Sequence, residues 1–348
     1  MARNAAKRKK GKSKGRVFFS WKRNLIVLFI VGVWVVAGEW FVHHSPRWIE
    51  RQRERFSSPV VDALLCVGNP AAEITDSLGL TGTDAVYEYD EEAPRNSVFF
   101  AGAPKRVGAP APDDIQIVDR GEFVIGWSPL LRHPVWVAYH VIPEQNYEYT
   151  PERPNFKRDK SVQGAPSPSS YKNSSMDRGH MAPNYAILTC YGPVEQAKTF
   201  LTSNIAPQAP RLNRRVWQDV EHRIAKLWPK RWGEIWVIVG SISEPDSRNR
   251  DVIAGTDIDI PEYYYQVVVA QEGLDIRAFA VIFENKNDIS LWPSRSLISI
   301  DELEELSGFD FLPDLPGFIQ RPLEAQLPTR LWPVRVIDVF NVLIGSHY

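Results

Sequence analysis

The chain has 348 residues, 44% of them apolar and 24% charged, which is enough for one large domain or two ordinary ones with a real core. Its net charge of −1 hides an asymmetry: ten of the 41 Lys and Arg and no acid lie in residues 1–23, so the rest carries 31 basic against 42 acidic residues. That acidic body excludes a protein that holds nucleic acid through bulk positive charge, and any polyanion site must be a local basic patch.

Residues 1–23 read as a basic cytoplasmic tail, too polar to build a core. Residues 24–42 follow as one N-terminal transmembrane helix, a signal anchor. No charge occurs from 25 to 38, Glu39 interrupts, and Trp40 to Val42 brings the apolar length to the lower limit for a span. Trp21 and Trp40 would sit at the two interfaces. A cleaved signal peptide fits less well because the basic segment is long, and a mitochondrial-type presequence or a buried helix stands behind both. The positive-inside rule then puts the C-terminal body outside the cytoplasm, in the periplasm if the cell is bacterial, with a mitochondrial location as the alternative.

Residues 43–94 read as a stalk or linker with an N-terminal extension, with a charged helix over 45–58 and an apolar helix over 60–67. A strand ending in a turn is expected over 98–102 and a Pro-rich loop over 108–114. Strands follow over 123–127 and 135–142, with Pro129 and Pro134 between them. A small-residue loop spans 161–175, and residues 193–203 have helical composition. Residues 213–228 form an amphipathic helix with an apolar stripe of Val216, Val220, Ile224 and Leu227, ended by Pro229. The run 235–242 reads as a central strand buried on both faces. Strands over 263–270 and 276–283 and an acidic helix over 301–306 complete the body. Residues 327–348 are a packed tail, because Arg335 and Asp338 interrupt its apolar run. Cys66 and Cys190 lack any CxxC or Cys/His zinc spacing and read as two thiols, with a single bridge open in an oxidising compartment.

The chemistry gathers at Asp177-Arg178-Gly179-His180-Met181-Ala182-Pro183 and at three later residues, Asn204, Asn213 and Glu221. Singly each has a plain structural role: Asn213 a helix N-cap, Glu221 a solvated helix charge, Asn204 a turn residue, His180 a satisfied histidine. On a helix, however, positions 213, 217 and 221 share a face, drifting by about 40° per four-residue step. Arg211, Arg214, Arg215 and Arg223, with Lys172, are candidates for the local basic patch.

DRGHMAP, then SNIAPQ (203–208), then Asn213 and Glu221 at these spacings resemble the DNA/RNA non-specific endonuclease family, the ββα-metal or His-Me finger nucleases that include endonuclease G. The similarity extends over about 95–326 and takes in VWVAYHV (135–141), IWVIVGSI (235–242) and IDELEELSGFDF (300–311). It implies an α+β fold with a central, mainly antiparallel sheet flanked by helices. It implies hydrolysis of DNA and RNA phosphodiesters to 5′-phosphate products, DNA and RNA as partners, and Mg²⁺ as cofactor with Mn²⁺ as a substitute. Membrane contact through the N-terminal helix and a homodimer are further partner expectations.

The roles implied are His180 as general base, Asn213 as direct Mg²⁺ ligand and Glu221 as holder of metal-bound waters, about 12 Å further along the helix at about 1.5 Å per residue. Asn204 would orient His180 or its backbone, and Arg153, with Arg158 as fallback, would stabilise the transition state. Arg178, Arg214 and Arg215 would contact substrate. The departure Asn184-Tyr185-Ala186, where small and acidic residues are usual, touches substrate access and not the chemistry. The rival reading is a nuclease fold that binds nucleic acid or an envelope partner without cutting it.

Overall fold

In the computed structural model, the described residues are the backbone of Ala85–Glu88 and residues 98–333 apart from 113, 144–146, 148–152, 247 and 274. The tail, the signal anchor over 24–42, the expected helices over 45–58 and 60–67, Cys66 and everything after 333 lie outside them. No helix among the described residues is long and apolar enough to cross a membrane.

One antiparallel sheet organises the body. Its strands are β1 (Ala85–Glu88), β3 (Gln116–Asp119), β4 (Phe123–Ser128), β5 (His133–Val141), β8 (Ile235–Ile242), β9 (Tyr263–Glu272) and β10 (Asp275–Glu284), with β11 (Leu297–Ile298) on β10. The spatial order is β1-β10-β9-β8-β5-β4-β3. Two small ribbons complete the strands: β2 (Lys105–Arg106) with β12 (Phe309–Asp310), and β6 (Asp177–His180) with β7 (Ile205–Gln208).

The central strands carry near-continuous apolar runs because both faces of the sheet are covered, and the period of two sorts each strand between two cores. Val137, Tyr139, Val141, Val237, Val239, Val268 and Phe279 face one core. Trp136, Ala138, Trp236, Ile238, Val267 and Ala278 face the other. Helices α1 (Asn184–Tyr191) and α2 (Pro193–Thr199) lie between β6 and β7 in the chain, and a longer helix, α3 (residues 212–227), follows β7. Helix α3 is made of the segments Leu212–Trp217, Gln218–His222 and Arg223–Leu227, the first and last of them π-helical. Its Val216, Val220 and Ile224 fill the first core, as the stripe predicted, and Leu227 is only half-buried. Helices α5 (Ile300–Ser307) and α6 (Gly317–Glu324) put Ile300, Leu303, Ile319 and Leu323 into the second core.

Four sequence expectations change in detail. Residues 98–102 make no strand; Phe100 is buried and the chain turns at Ala101 (φ 54) and Gly102 (φ 96). Pro134 lies inside β5, opposite Trp127, where the register shifts and its missing N–H costs the ladder least. Pro229 opens a further helical turn, α4 (Pro229–Trp232), and Gly233 (φ 80) ends it. The helix around Asn213 begins before it, since Asn213 N–H already bonds the carbonyl of Ala209 at 2.9 Å, so Asn213 is no N-cap. Near the end of the described residues, Trp332 is buried against Trp228, Trp232 and Phe279, and Trp228 Nε1 donates to its carbonyl at 3.0 Å.

Gly240 in β8 lies under the ring of the fully buried Tyr265, and a Cβ there would stand 2.0 Å from Tyr265 Cζ. Gly240→Ala should therefore destabilise the protein by about 1–3 kcal/mol through overpacking. Urea denaturation measures this, and an unchanged midpoint and slope would show that the ring is free to move.

Candidate active site

The β6–β7 ribbon presents the DRGH residues. Asp177 pairs with Gln208, Gly179 with Ala206 and His180 with Ile205. Gly179 is required by close approach, because a Cβ there would meet Gln208 Oε1 at 2.2 Å. The chain leaves the ribbon through Met181 and Ala182, and Asn204 clasps that exit. Met181 N–H donates to the Asn204 carbonyl at 3.0 Å, and Ala182 N–H donates to Asn204 Oδ1 at 2.9 Å. Asn204 Nδ2 donates back to the Ala182 carbonyl and to that of Thr199, both at 3.0 Å. Asn204 is fully buried and is not among the residues lining the cleft. Of the two roles expected of it, only the backbone one has contacts; it is a positioning residue and touches no reacting group.

A cleft of about 780 Å³ opens between the ribbon and α3. Into it the fold brings Arg153, Arg178, His180, Asn213, Arg214 and Glu221 together from three stretches of chain. Arg158 is exposed and does not line it, whereas Arg153 does. Arg215 and Arg211 are exposed outside the lining, and Arg223 is buried against Asp219, with Nε 3.2 Å from Oδ2. Of the expected patch only Lys172 and Arg214 line the cleft, where Arg153 and Arg178 join them.

His180 sits between two phenyl rings, with centroids 5.3 Å from Phe156 and 4.8 Å from Phe200. Its Nε2 is buried with no hydrogen-bond partner. Burial first, then the positive charges of Arg153 and Arg178, push its pKa down to about 3. The imidazole is thus neutral and able to accept a proton throughout the neutral range. The same rings seat the arginines: Arg178 lies 4.2 Å from the Phe156 centroid and Arg153 5.6 Å from that of Phe200.

Asp177 joins the ribbon to α3. It accepts from Asn213 Nδ2 at 2.9 Å and from Arg214 through Nε at 2.7 Å and Nη2 at 2.6 Å. Burial would raise its pKa, but the bonds from Arg214 and Asn213 outweigh that and hold it below the usual carboxylate value. An ionised carboxylate only accepts, so the Asn213 amide must turn its nitrogen to Asp177 and keep Oδ1 for a ligand. Glu221 Oε1 accepts from Trp217 Nε1 at 2.9 Å, and burial lifts its pKa to about 8 against the opposing pull of Trp217 and Arg153. A neutral amide oxygen and a carboxylate beside a cleft are donors that suit a hard divalent cation.

Several lining residues had no role from sequence: Phe156, Tyr171, Tyr185, Gln218 and His222, with Trp217 behind Glu221. Trp217 had a signal, since it stands four residues from both Asn213 and Glu221. The aromatics had none, because nothing local tells a ring flanking a histidine from a core ring.

The family model described as DNA/RNA non-specific endonuclease matches residues 101–318, and the chain belongs to that family. Its relatives include human mitochondrial endonuclease G, 25% identical over 213 residues that cover 58% of this chain and 70% of that protein. A nuclease of Nostoc sp. is 26% identical over 230 residues, 62% of this chain and 80% of that one. In fold, the chain is similar to one in the crystal structure of the EndoG/EndoGI complex, with a TM-score of 0.51 and 22% identity over 61% of this chain and 91% of that one. Function follows at the level of the family: the protein is a non-specific endonuclease of DNA and RNA.

The His180 environment has a measurable consequence. An unfolded imidazole protonates near its ordinary 6.5, whereas the folded one stays neutral to about 3. Between those values the unfolded chain binds more protons, so this group's contribution makes stability fall as pH drops below 6.5. In an NMR titration of metal-free protein, the His180 ring signals, assigned with His180→Gln, should not shift between pH 8 and 5. A midpoint near 6.5 would contradict the desolvated site.

Proposed function

We propose that the cleft hydrolyses phosphodiester bonds of DNA and RNA with His180 as general base and a divalent cation as cofactor. His180 takes the proton of a water whose oxygen attacks phosphorus, the P–O3′ bond breaks, and the products are a 5′-phosphate and a 3′-hydroxyl. Arg153 lies across the His180 pocket and neutralises charge that develops on the phosphoryl oxygens. Asn213 Oδ1 would ligate Mg²⁺, with Mn²⁺ as substitute, and Glu221 would hold its waters; when bound, the ion supplies positive charge at the scissile phosphate. The observation that carries this reading is the unpartnered Nε2 of a neutral His180 in the same cleft as Asn213 and Glu221.

Binding follows from the remaining lining. Arg178, Arg214 and Lys172 address phosphate, and the partly exposed Tyr185 offers a ring on which a base stacks. Neither kind of contact reads sequence or sugar, which agrees with the family's low specificity. Of the expected substrate contacts, Arg214 acts partly through its fork with Asp177, and Arg215 would act only on nucleic acid that extends beyond the cleft.

His180→Ala should lower nicking of plasmid DNA and cleavage of RNA by about 10²–10⁴-fold, the usual worth of a positioned base, with an unchanged circular dichroism spectrum. Asn213→Ala should raise the Mg²⁺ concentration needed for cleavage. Full activity in His180→Ala would remove the base from this scheme.

We further propose that the nuclease body is kept on the far side of a membrane from the cytosol. The acid-free basic segment 1–23 and the uncharged run 25–38 support this, and so does the mitochondrial name of the human relative. The signal anchor expected over 24–42 and import into a mitochondrion both produce that placement. Protease added to intact, plasma-membrane-permeabilised or outer-membrane-permeabilised cells should leave the body uncut until the enclosing membrane is opened. Digestion of a cytosolic pool would overturn it.

A further inference from the structure

On the other core of the sheet, away from the cleft, three carboxylates converge. Asp301 and Glu304 lie on α5 and Glu324 ends α6, and their carboxylate oxygens lie within 4.8 Å of one another. Asp301 is exposed and Glu304 half-buried, whereas Glu324 is only 3% exposed. Its Oε1 is buried and has no hydrogen-bond partner. Glu304 Oε1 holds the turn after α5 by accepting from Phe311 N–H at 2.7 Å. Asp310 stands close by and accepts from Gln320 Nε2 at 2.9 Å.

The local charge is one-sided. The charged groups acting on Glu324 are Glu304, Asp310 and Asp301, all of them carboxylates. Three carboxylates drawn together cannot all stay charged without a counter-charge, and a buried one is the most costly. An oxygen-coordinated divalent cation answers all three and gives Glu324 Oε1 a partner.

We propose that Asp301, Glu304 and Glu324 form a calcium site that crosslinks α5 to α6. The donors are oxygen only, which selects a hard cation over zinc or copper. Calcium takes oxygens at about 2.3–2.6 Å in variable geometry, so two ligands of one ion stand at most about 5 Å apart, as these do. Magnesium demands a near-ideal octahedron and keeps most of its waters, which suits a partly buried trio of carboxylates less well. Solvent-exposed Asp301 provides the entry side and room for waters to complete the shell. The apolar sides of both helices fill the second core, with the sheet between them and His180, so the site is structural and separate from the proposed chemistry.

The test uses full-length protein stripped with EDTA and titrated with calcium chloride, by calorimetry and by thermal melting. An Asn213→Ala background removes the cation ligand of the cleft. There, about one calcium should bind per chain and raise the melting temperature. Adding Glu324→Gln should weaken binding about tenfold or more and abolish the thermal gain. Glu324→Gln alone should retain Mg²⁺-dependent DNA cleavage. If Glu324→Gln does not fold, Asp301→Asn at the exposed ligand serves for the same comparison. No calcium binding in the Asn213→Ala protein at millimolar concentration, or an unchanged calcium response in the ligand variants, would overturn the proposal.

Discussion

The contact on which the site depends is the bond from Asn213 to Asp177. It ties the DRGH strand to α3 through two residues 36 positions apart, and it does so with a group that can only accept. The amide is thereby oriented with its nitrogen on Asp177, and the proposed cation would take its oxygen. Arg214 forks onto the same carboxylate and keeps it ionised, so orientation and charge are maintained by one cluster. The first residue of the motif acts in this way on a partner outside it. Gly179, the third, lets the ribbon close on Gln208, and His180, the fourth, faces the cleft.

Around that contact the fold separates rigidity from reactivity. The eight-stranded sheet is buried on both faces, and α3 lays Val216, Val220 and Ile224 on one of them, which fixes where Asn213 and Glu221 open. Asn204 spends its side chain on backbone, with two bonds at Ala182 just after His180 and a third at Thr199. Three of its bonds are buried, and a lost partner there leaves donors or acceptors unsatisfied, at about 1–3 kcal/mol each. By contrast His180 Nε2 and Asn213 Oδ1 are left for ligands. Phe156 and Phe200 do two things at once: they strip water from His180, which keeps it neutral, and they carry the two guanidinium groups beside it.

Much of this was legible in the sequence where local pattern and tertiary role coincide. The 235–242 run is a central strand because apolar on every position means covered on both faces, and the α3 stripe is periodic because only one side packs. The three polar residues stood out by spacing, and the resemblance gave them roles. Details decided by long-range contact were not legible. Asn213 looked like an N-cap because its helix start depends on Pro210 and Arg211 already being helical. Arg223 looked like a surface cation, yet Asp219 one turn earlier draws it into a partly buried pair. Arg215 looked equivalent to its neighbour Arg214, but a step along the helix turns it away from Asp177 and out of the cleft. Pro229 looked like a stop, whereas a proline is equally at home in the first turn of the next helical segment.

The central claim is that Asp177 acts by presenting the Asn213 amide oxygen to a divalent cation. Manganese binding to Asp177→Ala, followed by calorimetry or by electron paramagnetic resonance beside the wild type, tests it most directly. The account predicts affinity weakened by about 10–100-fold, as for loss of a group that orients a metal ligand, with the melting temperature little changed. Wild-type manganese affinity in a folded Asp177→Ala protein would contradict it.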